Sequence, residues 1–319
     1  MSFAAMMLVA IGCDLAFGWP AWIYAKIGHP VTWLGALIGW LDRHWNREGT
    51  ARRLRGIAAA LVVIGLSAAL ALGVQILLPD GWPGVVIGGI LAWPLVALRS
   101  MHDHVAAVAR PLVAGDLPTA RHAVSMIVGR DPSQLDAPGV TRAALESLAE
   151  NSSDGIVAPL FWGVIAGLPG IAAYKAINTL DSMISHRTLR HEAFGWASAR
   201  IDDLVNLVPA RLTGLVFALV SRRPVAALAA MARDARHHRS PNAGWPEAAM
   251  AGALGVRVSG PRIYADRIAD EPFVNATCPD PTPADLHRGL ALYRRAMLAL
   301  TALIGALAMG AAASAQGAA

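Results

Sequence analysis

Hydrophobic and polar positions alternate along this chain in long blocks. Residues 57–78 form an uncharged apolar run, about the 20 residues that a helix needs to cross a hydrocarbon core. Arg43, Arg47, Arg52, Arg53 and Arg55 precede it and mark that flank as cytoplasmic by the positive-inside rule. The turn Pro79-Asp80-Gly81-Trp82-Pro83 leads into a second apolar run, residues 84–98, which ends at Arg99; together the two predict a transmembrane hairpin. A last uncharged run, residues 296–313, follows Arg288, Arg294 and Arg295. The N-terminal apolar stretch has no Lys or Arg before it and carries Asp14, so it reads as a retained membrane segment rather than a cleaved signal peptide.

Between these runs lies a polar insert, about 100–154, with helical spacing over 102–110, 119–128 and 141–150 and breaks at Gly and Pro. The middle of the chain supports two readings. In one, residues 155–173 cross the membrane and 204–220 cross back, leaving Lys175, Arg187, Arg190 and Arg200 outside; the arginines from Arg222 to Arg239 suit this. In the other, Pro169-Gly170 is the tip of a re-entrant hairpin whose arms of about 14 residues span about 21 Å, with both polar ends on one side. Either way the predicted fold is all-α: a polytopic integral membrane protein of about five or six segments, one domain over 1–319, with polar motif loops at about 175–203 and 221–290.

Composition agrees. Of 319 residues 55% are hydrophobic and only 15% charged, against about 25% charged in soluble domains, and mean hydropathy is +0.46. The net charge of +5 comes from arginines beside apolar runs, and no nucleic-acid motif accompanies it. Two cysteines without metal-ligand spacing give neither a disulfide framework nor a zinc site. Walker, dinucleotide, nucleophile-elbow and zinc-protease motifs are missing.

Chemistry concentrates in a few polar constellations. Glu146 and Glu150 sit at i, i+4 on one helix face, followed by Asn151, Ser152, Ser153, Asp154 and a helix-stopping Gly155. Such charge beside an apolar segment is costly unless it serves a purpose, though a capped, salt-bridged helix would also account for it. Lys175, Asn178, Asp181, Ser182 and Ser185 form a polar stripe opposite Ile177, Leu180 and Ile184. Next come His186, Arg187, Glu192, Asp202, Asp203, Asn206 and Arg211; one aspartate suits an N-cap, and Arg211 falls within an apolar helix. Residues 240–255, with Asn242 and Glu247, predict a turn and a short helix with a small-residue packing face. His102, His104, His237 and His238 lack a third ligand at metal spacing and read as surface or interfacial groups.

The segments ENSSDGIVAPLFWG, YKAINTLDSMISH, FGWASARIDDLVNLVPARL and SPNAGWPEAAMAGALGVRV, with GHPVTWLGALIGWLD near the start, together resemble the CobD/CbiB family, in order, from about Asp14 to Val258. One departure is Gly18-Trp19-Pro20, where many members carry Gly-Asp-Pro; Ser152 stands where Thr is frequent. The resemblance implies an adenosylcobinamide-phosphate synthase in the bacterial cytoplasmic (inner) membrane. That enzyme joins aminopropanol or its O-phosphate to a propionate carboxylate of adenosylcobyric acid, using ATP and Mg2+. On this resemblance, Asp154, Asp181 and Asp202 or Asp203 would ligate the metal, and Lys175, Arg187 and Arg211 would stabilise phosphate charge. Glu150 would be the base for the amine, while Asn151, Asn178, His186, Asn206, Asn242 and Glu247 would contact substrates. The competing class is a polytopic transporter or an AmpE-like sensory protein, although no paired inverted halves are visible.

Overall fold

The computed structural model describes residues 1–129, 131–186, 188–264, 267–269 and 271–317. These fold almost wholly into helices: α1 (Phe3–Phe17), α2 (Ala21–Ile27), α3 (Pro30–Trp45), α4 (Arg52–Leu77), α5 (Trp82–Ala92), α6 (Leu98–Val113), α7 (Leu117–Ser125) and α8 (Ala137–Ser152). After a π-helical turn at Ser153–Val157 come α9 (Ala158–Ile184), α10 (Trp196–Val205), α11 (Leu207–Val220), α12 (Pro224–Asp234), α13 (Gly244–Leu254) and α14 (Pro283–Gly317). Four helical runs are long and apolar enough to cross a membrane, or up to six if each of two bent helix pairs is one crossing. The all-α polytopic expectation holds. The chain divides into two compact units, one made of residues 1–97, 158–206 and 301–319, the other of 98–157 and 207–300.

In the first unit α4 realises the uncharged run. Its buried residues, Gly56, Ala59, Ala60 and Val63, form one stripe at helical spacing, and its other faces expose Leu61, Leu70, Ile76 and Leu77. An apolar helix buried along one stripe only suits a lipid surround. The second apolar run ends earlier than its composition suggests: Pro94 gives a 3-10 turn at Trp93–Leu95, because proline withholds a donor and crowds the preceding turn. Gly89 lets α1 pack on α5, since a Cβ there would collide with Val9 and the Met6 carbonyl.

The break in α9 lies at Gly167, with φ 65° and ψ −144°, a conformation essentially confined to glycine. Gly170 then packs on the carbonyl of Trp162, eight residues earlier; along a straight helix those residues are about 12 Å apart. The chain therefore reverses, as the hairpin reading expects, but two residues ahead of Pro169-Gly170. Proline is tolerated in the first turn of a helix, so Pro169 opens the return arm instead of forming the tip. At the tip the side chain of Gln75, near the end of α4, accepts the Leu168 N–H at 2.8 Å. The return arm runs back along α4, burying Ala176, Leu180 and Ile184 against Ala59, Ala60 and Val63, until Gly56 meets the carbonyl of Phe194.

Residues 188–191 thus come back to the arginine-bearing end of α4. Arg52 Nη1 and Nη2 donate to the carbonyls of Leu189 and Arg190 at 3.2 and 2.5 Å, Asn46 Nδ2 donates to Arg190 O at 3.0 Å, and Arg190 pairs with Asp42 at 2.7 Å. This corrects the reading that left Arg190 on the face opposite Arg43–Arg55.

In the second unit α11, α12 and α13 pack together and α13 also meets α8. Every α13 residue except Trp245 is buried, and Gly252 lies against the backbone of Ala226 and Ala227, as its small-residue face predicts. Two short antiparallel ladders follow: β1 (Val258–Ser259) pairs with β4 (Phe273–Val274), and β2 (Arg262–Tyr264) pairs with β3 (Arg267–Ala269). Elements of two or three residues leave no period-2 signal to read.

Gly167→Ala should cost about 1–3 kcal/mol, seen as a lower midpoint of thermal unfolding in detergent. Cysteines introduced at Glu48 and Glu192, both exposed, should react with an impermeant maleimide from the same membrane face; labelling from opposite faces would contradict the hairpin.

Candidate functional sites

Each unit holds a polar cluster, the first on an amphipathic helix and the second on buried ones. In the first, the return arm of α9 buries Ala176, Ile177, Leu180 and Ile184 and leaves Lys175, Asn178 and Asp181 half-buried on its other face. Ser185 hydrogen-bonds the Asp181 carboxylate, and Asp203 and His186 lie close enough to act on it electrostatically. Asp203 in turn meets Arg200 at 3.4 Å. Lys175 is within electrostatic reach of His29, which N-caps α3 through Nδ1, accepting the Val31 N–H at 3.2 Å, and faces the edge of Trp19 at 4.9 Å. Trp19, at the departure from the family pattern, buries its indole nitrogen without a hydrogen-bond partner among the described residues.

Asp202 and Asn206 do other work. The Tyr174 hydroxyl donates to Asn206 Oδ1 at 2.9 Å, and Asn206 Nδ2 donates to Asp202 Oδ2 at 3.0 Å. Tyr174 and Asn206 are each 1% exposed, so this relay satisfies amide and phenol inside an apolar setting, where an unmade bond is expensive. Arg187 lies outside the described residues.

The second cluster gathers on α8 and α13. Glu247 is buried in the first turn of α13, where the helix dipole favours its charge. Ser259 Oγ donates to Glu247 Oε2 at 2.8 Å, and the Ser259 N–H donates to Glu146 Oε1 at 3.0 Å. His238 Nδ1 accepts the Ser240 N–H at 3.0 Å, which puts the ring hydrogen on Nε2, facing Glu247 Oε1 at 3.6 Å. The His238 side chain is only 6% exposed, which corrects the surface reading; Glu247 holds it inside. Asp234 is gripped bidentately by Arg233 at 2.8 and 2.7 Å and also accepts the Asn275 N–H at 2.8 Å. A cavity of about 240 Å³ opens here, lined by Asp234, His237, His238, Arg239, Ser259 and Glu271 together with Pro272, Phe273 and Val274.

Of the residues singled out from sequence, Glu150 is exposed whereas Glu146, one turn before it, is buried, so the pair does not share one environment. Gly155 does not stop the helix: its φ is not positive, and the chain passes through the π turn that carries Asp154. Such turns recur at functional sites. Asn151 Nδ2 donates back to Ser147 O at 3.0 Å, and Asn242 is buried. Arg211 stacks on Trp245 at 4.5 Å and donates to Leu207 O at 2.7 Å, one turn into α11 rather than mid-helix. His29, Tyr174 and Ser259 were not singled out; His29 and Tyr174 lie within the GHPVTW and YKAIN segments, whereas Ser259 carried no signal.

Among the described residues, no group of three or more His, Cys, Asp or Glu is placed to hold a metal ion. Asp181 and Asp203 are neighbours as a pair. Mg2+ commonly takes one or two carboxylates and completes its shell with water and substrate phosphates, and the pair suits that mode.

Fold and clusters together define a multi-pass α-helical membrane protein with polar sites inside each unit. The chain belongs to the CobD/CbiB family: the model of the CobD/Cbib protein family matches residues 7–293. It is 76% identical to the cobalamin biosynthesis protein CobD of Rhodobacter capsulatus, over 97% of this chain and 98% of the relative. Proteins of the same name from Sinorhizobium sp and Brucella suis are 45% and 43% identical, over 95% and 94% of this chain and 98% and 95% of theirs. No solved structure matches the chain.

Asp280 ties the second cluster's loop to α8: it accepts from Arg257 Nε at 2.9 Å and from Arg142 Nη1 at 2.5 Å. The Arg257 hydrogen bonds hold its carboxyl below the usual carboxylate range, burial opposes them, and the Arg142 charge adds to the lowering. A lowered folded pKa gives stability that is present above the ordinary carboxylate value, about 4, and is lost as pH falls through the lower folded one. Unfolding midpoints measured from pH 6 to pH 3 should show this acid loss in the wild type and a smaller one in Asp280→Asn.

Proposed function

We propose that this chain acts in cobalamin biosynthesis as an ATP-dependent ligase. It would join aminopropanol or its O-phosphate to a propionate carboxylate of adenosylcobyric acid. Family membership supports the pathway. The observation that carries the chemistry is the polar face of α9, where Lys175, Asn178 and Asp181 stand together with Asp203 beside them. Phosphoryl transfer requires chiefly positioning and counter-charge, and this face offers an ammonium, an amide and a carboxylate pair.

A carboxylate does not condense with an amine unaided. In the proposed reaction, the propionate oxygen takes the γ-phosphoryl group of ATP and ADP departs. The amine nitrogen then attacks the acyl carbon, phosphate leaves, and the ammonium proton passes to Glu150. Asp181 and Asp203, with Asp154 and Asp202 as the other candidates, are assigned to Mg2+, which would screen the phosphate charge. Lys175, Arg187 and Arg211 are assigned to phosphate, and Asn151, Asn178, His186, Asn242 and Glu247 to substrate contacts. Asn206, engaged at both ends of its amide, is a positioning residue. We assign the protein to the bacterial inner membrane, with the arginine-bearing end of α4 toward the cytoplasm.

The test supplies adenosylcobyric acid, aminopropanol phosphate, ATP and Mg2+ to membranes containing the protein and looks for the heavier corrinoid by mass spectrometry. Asp181→Asn should lower turnover by at least about a hundredfold with unchanged thermal unfolding, in line with losing a charge-stabilising group. Near-normal turnover would remove Asp181 from the metal assignment, and corrinoid flux without amide product would favour a transporter.

A further inference from the structure

Positive charge gathers where α3 ends and α4 begins. Arg43 and His44 lie in the last turn of α3, Arg47 follows, and α4 opens with Arg52, Arg53 and Arg55. The two helix ends are tied together: Arg52 Nε donates to Asn46 Oδ1 at 2.6 Å, and Arg55 Nη1 donates to the Arg47 carbonyl at 3.3 Å. Cations held this closely repel one another unless anions stand between them. The nearby Asp42 is taken by Arg190 at 2.7 Å and by Asn46 Nδ2 at 2.7 Å. Among the described residues, no carboxylate lies within ion-pair distance of Arg43, Arg47, Arg53 or Arg55, the exposed Glu48 included. The start of α4 deepens the imbalance, since it is the positive end of a helix dipole with neither an acid in its first turn nor a side-chain cap.

Depth in the bilayer decides which anion can answer this charge. The helix α4 is long and apolar enough to cross a membrane, and its first exposed leucines after the arginines, Leu61 and Leu66, belong to the hydrocarbon. The arginines that open it therefore stand at the level of lipid headgroups. Two exposed tryptophans mark the same level: Trp40 stacks on His44 at 4.6 Å, and Trp196 lies under the Arg53 guanidinium at 3.6 Å. Tryptophan is enriched at that depth because one end of the ring is apolar and the other is wet.

We propose that Arg43, Arg47, Arg53 and Arg55 form a binding site for the headgroup of an anionic phospholipid. Its phosphate sits between the two helix ends and its acyl chains lie along the exposed apolar face of α4, in the manner of basic pockets beside membrane helices. The lipid braces more than the arginines it touches. Arg52, in the same turn, donates to the carbonyls of Leu189 and Arg190, and that segment closes the return arm that carries Asp181. Occupancy thus steadies the 188–191 loop on α4. The site stands apart from the amide-forming reading and does not depend on it.

Native mass spectrometry of the full-length protein, released from vesicles of phosphatidylcholine mixed with phosphatidylglycerol, tests the proposal by counting the lipid that stays bound. Phosphatidylglycerol should be retained in preference to phosphatidylcholine, and added salt should weaken its retention. Arg43→Gln/Arg47→Gln should lower phosphatidylglycerol retention at least about tenfold, whereas Arg43→Lys/Arg47→Lys should keep most of it. Arg294→Gln/Arg295→Gln, which removes two exposed arginines just ahead of the last apolar run, should stay near wild type. Equal retention of the two lipids by the wild type would overturn the proposal, as would a loss in the Arg294/Arg295 variant as large as in the Arg43/Arg47 glutamine variant. Excess inorganic phosphate should leave the lipid bound; displacement would reassign the arginines to a free anion. If the glutamine variant fails to fold, the wild-type comparison of the two lipids, with and without salt, decides.

Discussion

The hydrogen bond from the Leu168 N–H to the Gln75 side chain is the contact on which the first unit turns. A helix that reverses inside an apolar surround exposes backbone groups at its tip, and with no water there they must find partners within the protein. Gln75, an amide near the end of an otherwise apolar α4, provides one, and Gly167 supplies the backbone conformation. Reversal there sets the register of the return arm on α4. That register puts the alanines and leucines inward and turns Lys175, Asn178 and Asp181 outward. The chemistry assigned to that face depends on a packing decision made at the tip, seven or more residues away.

The second unit solves a different problem, that of burying carboxylates. Glu146 and Glu247 are 6% and 1% exposed, and isolated buried charge is prohibitive. Ser259 serves both, one through its N–H and one through its hydroxyl, at a positive φ of 60° that few non-glycine residues adopt. The His238 ring lies 3.6 Å from Glu247 Oε1. The result is a cavity wall in which Ser259 is fixed at both its N–H and its hydroxyl, the condition for presenting a polar group to a ligand at little reorganisation cost.

Much of the helical framework was legible because long uncharged runs leave few alternatives: residues 57–78 became α4 and 296–313 lies within α14. The return arm's two faces were also legible, since Ile177, Leu180 and Ile184 repeat at helical spacing. What sequence missed depended on distance or on exact backbone angles. Glu146 meets Ser259 across 113 positions, and no local pattern announces that. His237 and His238 look alike in sequence, yet one lies exposed and the other is drawn in by Glu247. Gly155 was read as a stop because glycine often ends helices through positive φ, a conformation that it does not adopt here. The break fell at Gly167 rather than at the more conspicuous Pro169-Gly170 because proline resists the middle of a helix far more than its beginning.

The two units are interleaved along the chain, and this bears on how the protein is made. The first unit takes its residues from three separated stretches, the last beginning at Thr301. Its loop at 188–191 must find Asp42 and Arg52 across about 140 positions of sequence. Contacts so distant in sequence form slowly. A ribosome will have delivered the whole second unit before the first has all its parts. Early segments must therefore wait in the bilayer with polar groups unmatched, and this interval is when quality-control proteases would have most access to the nascent protein.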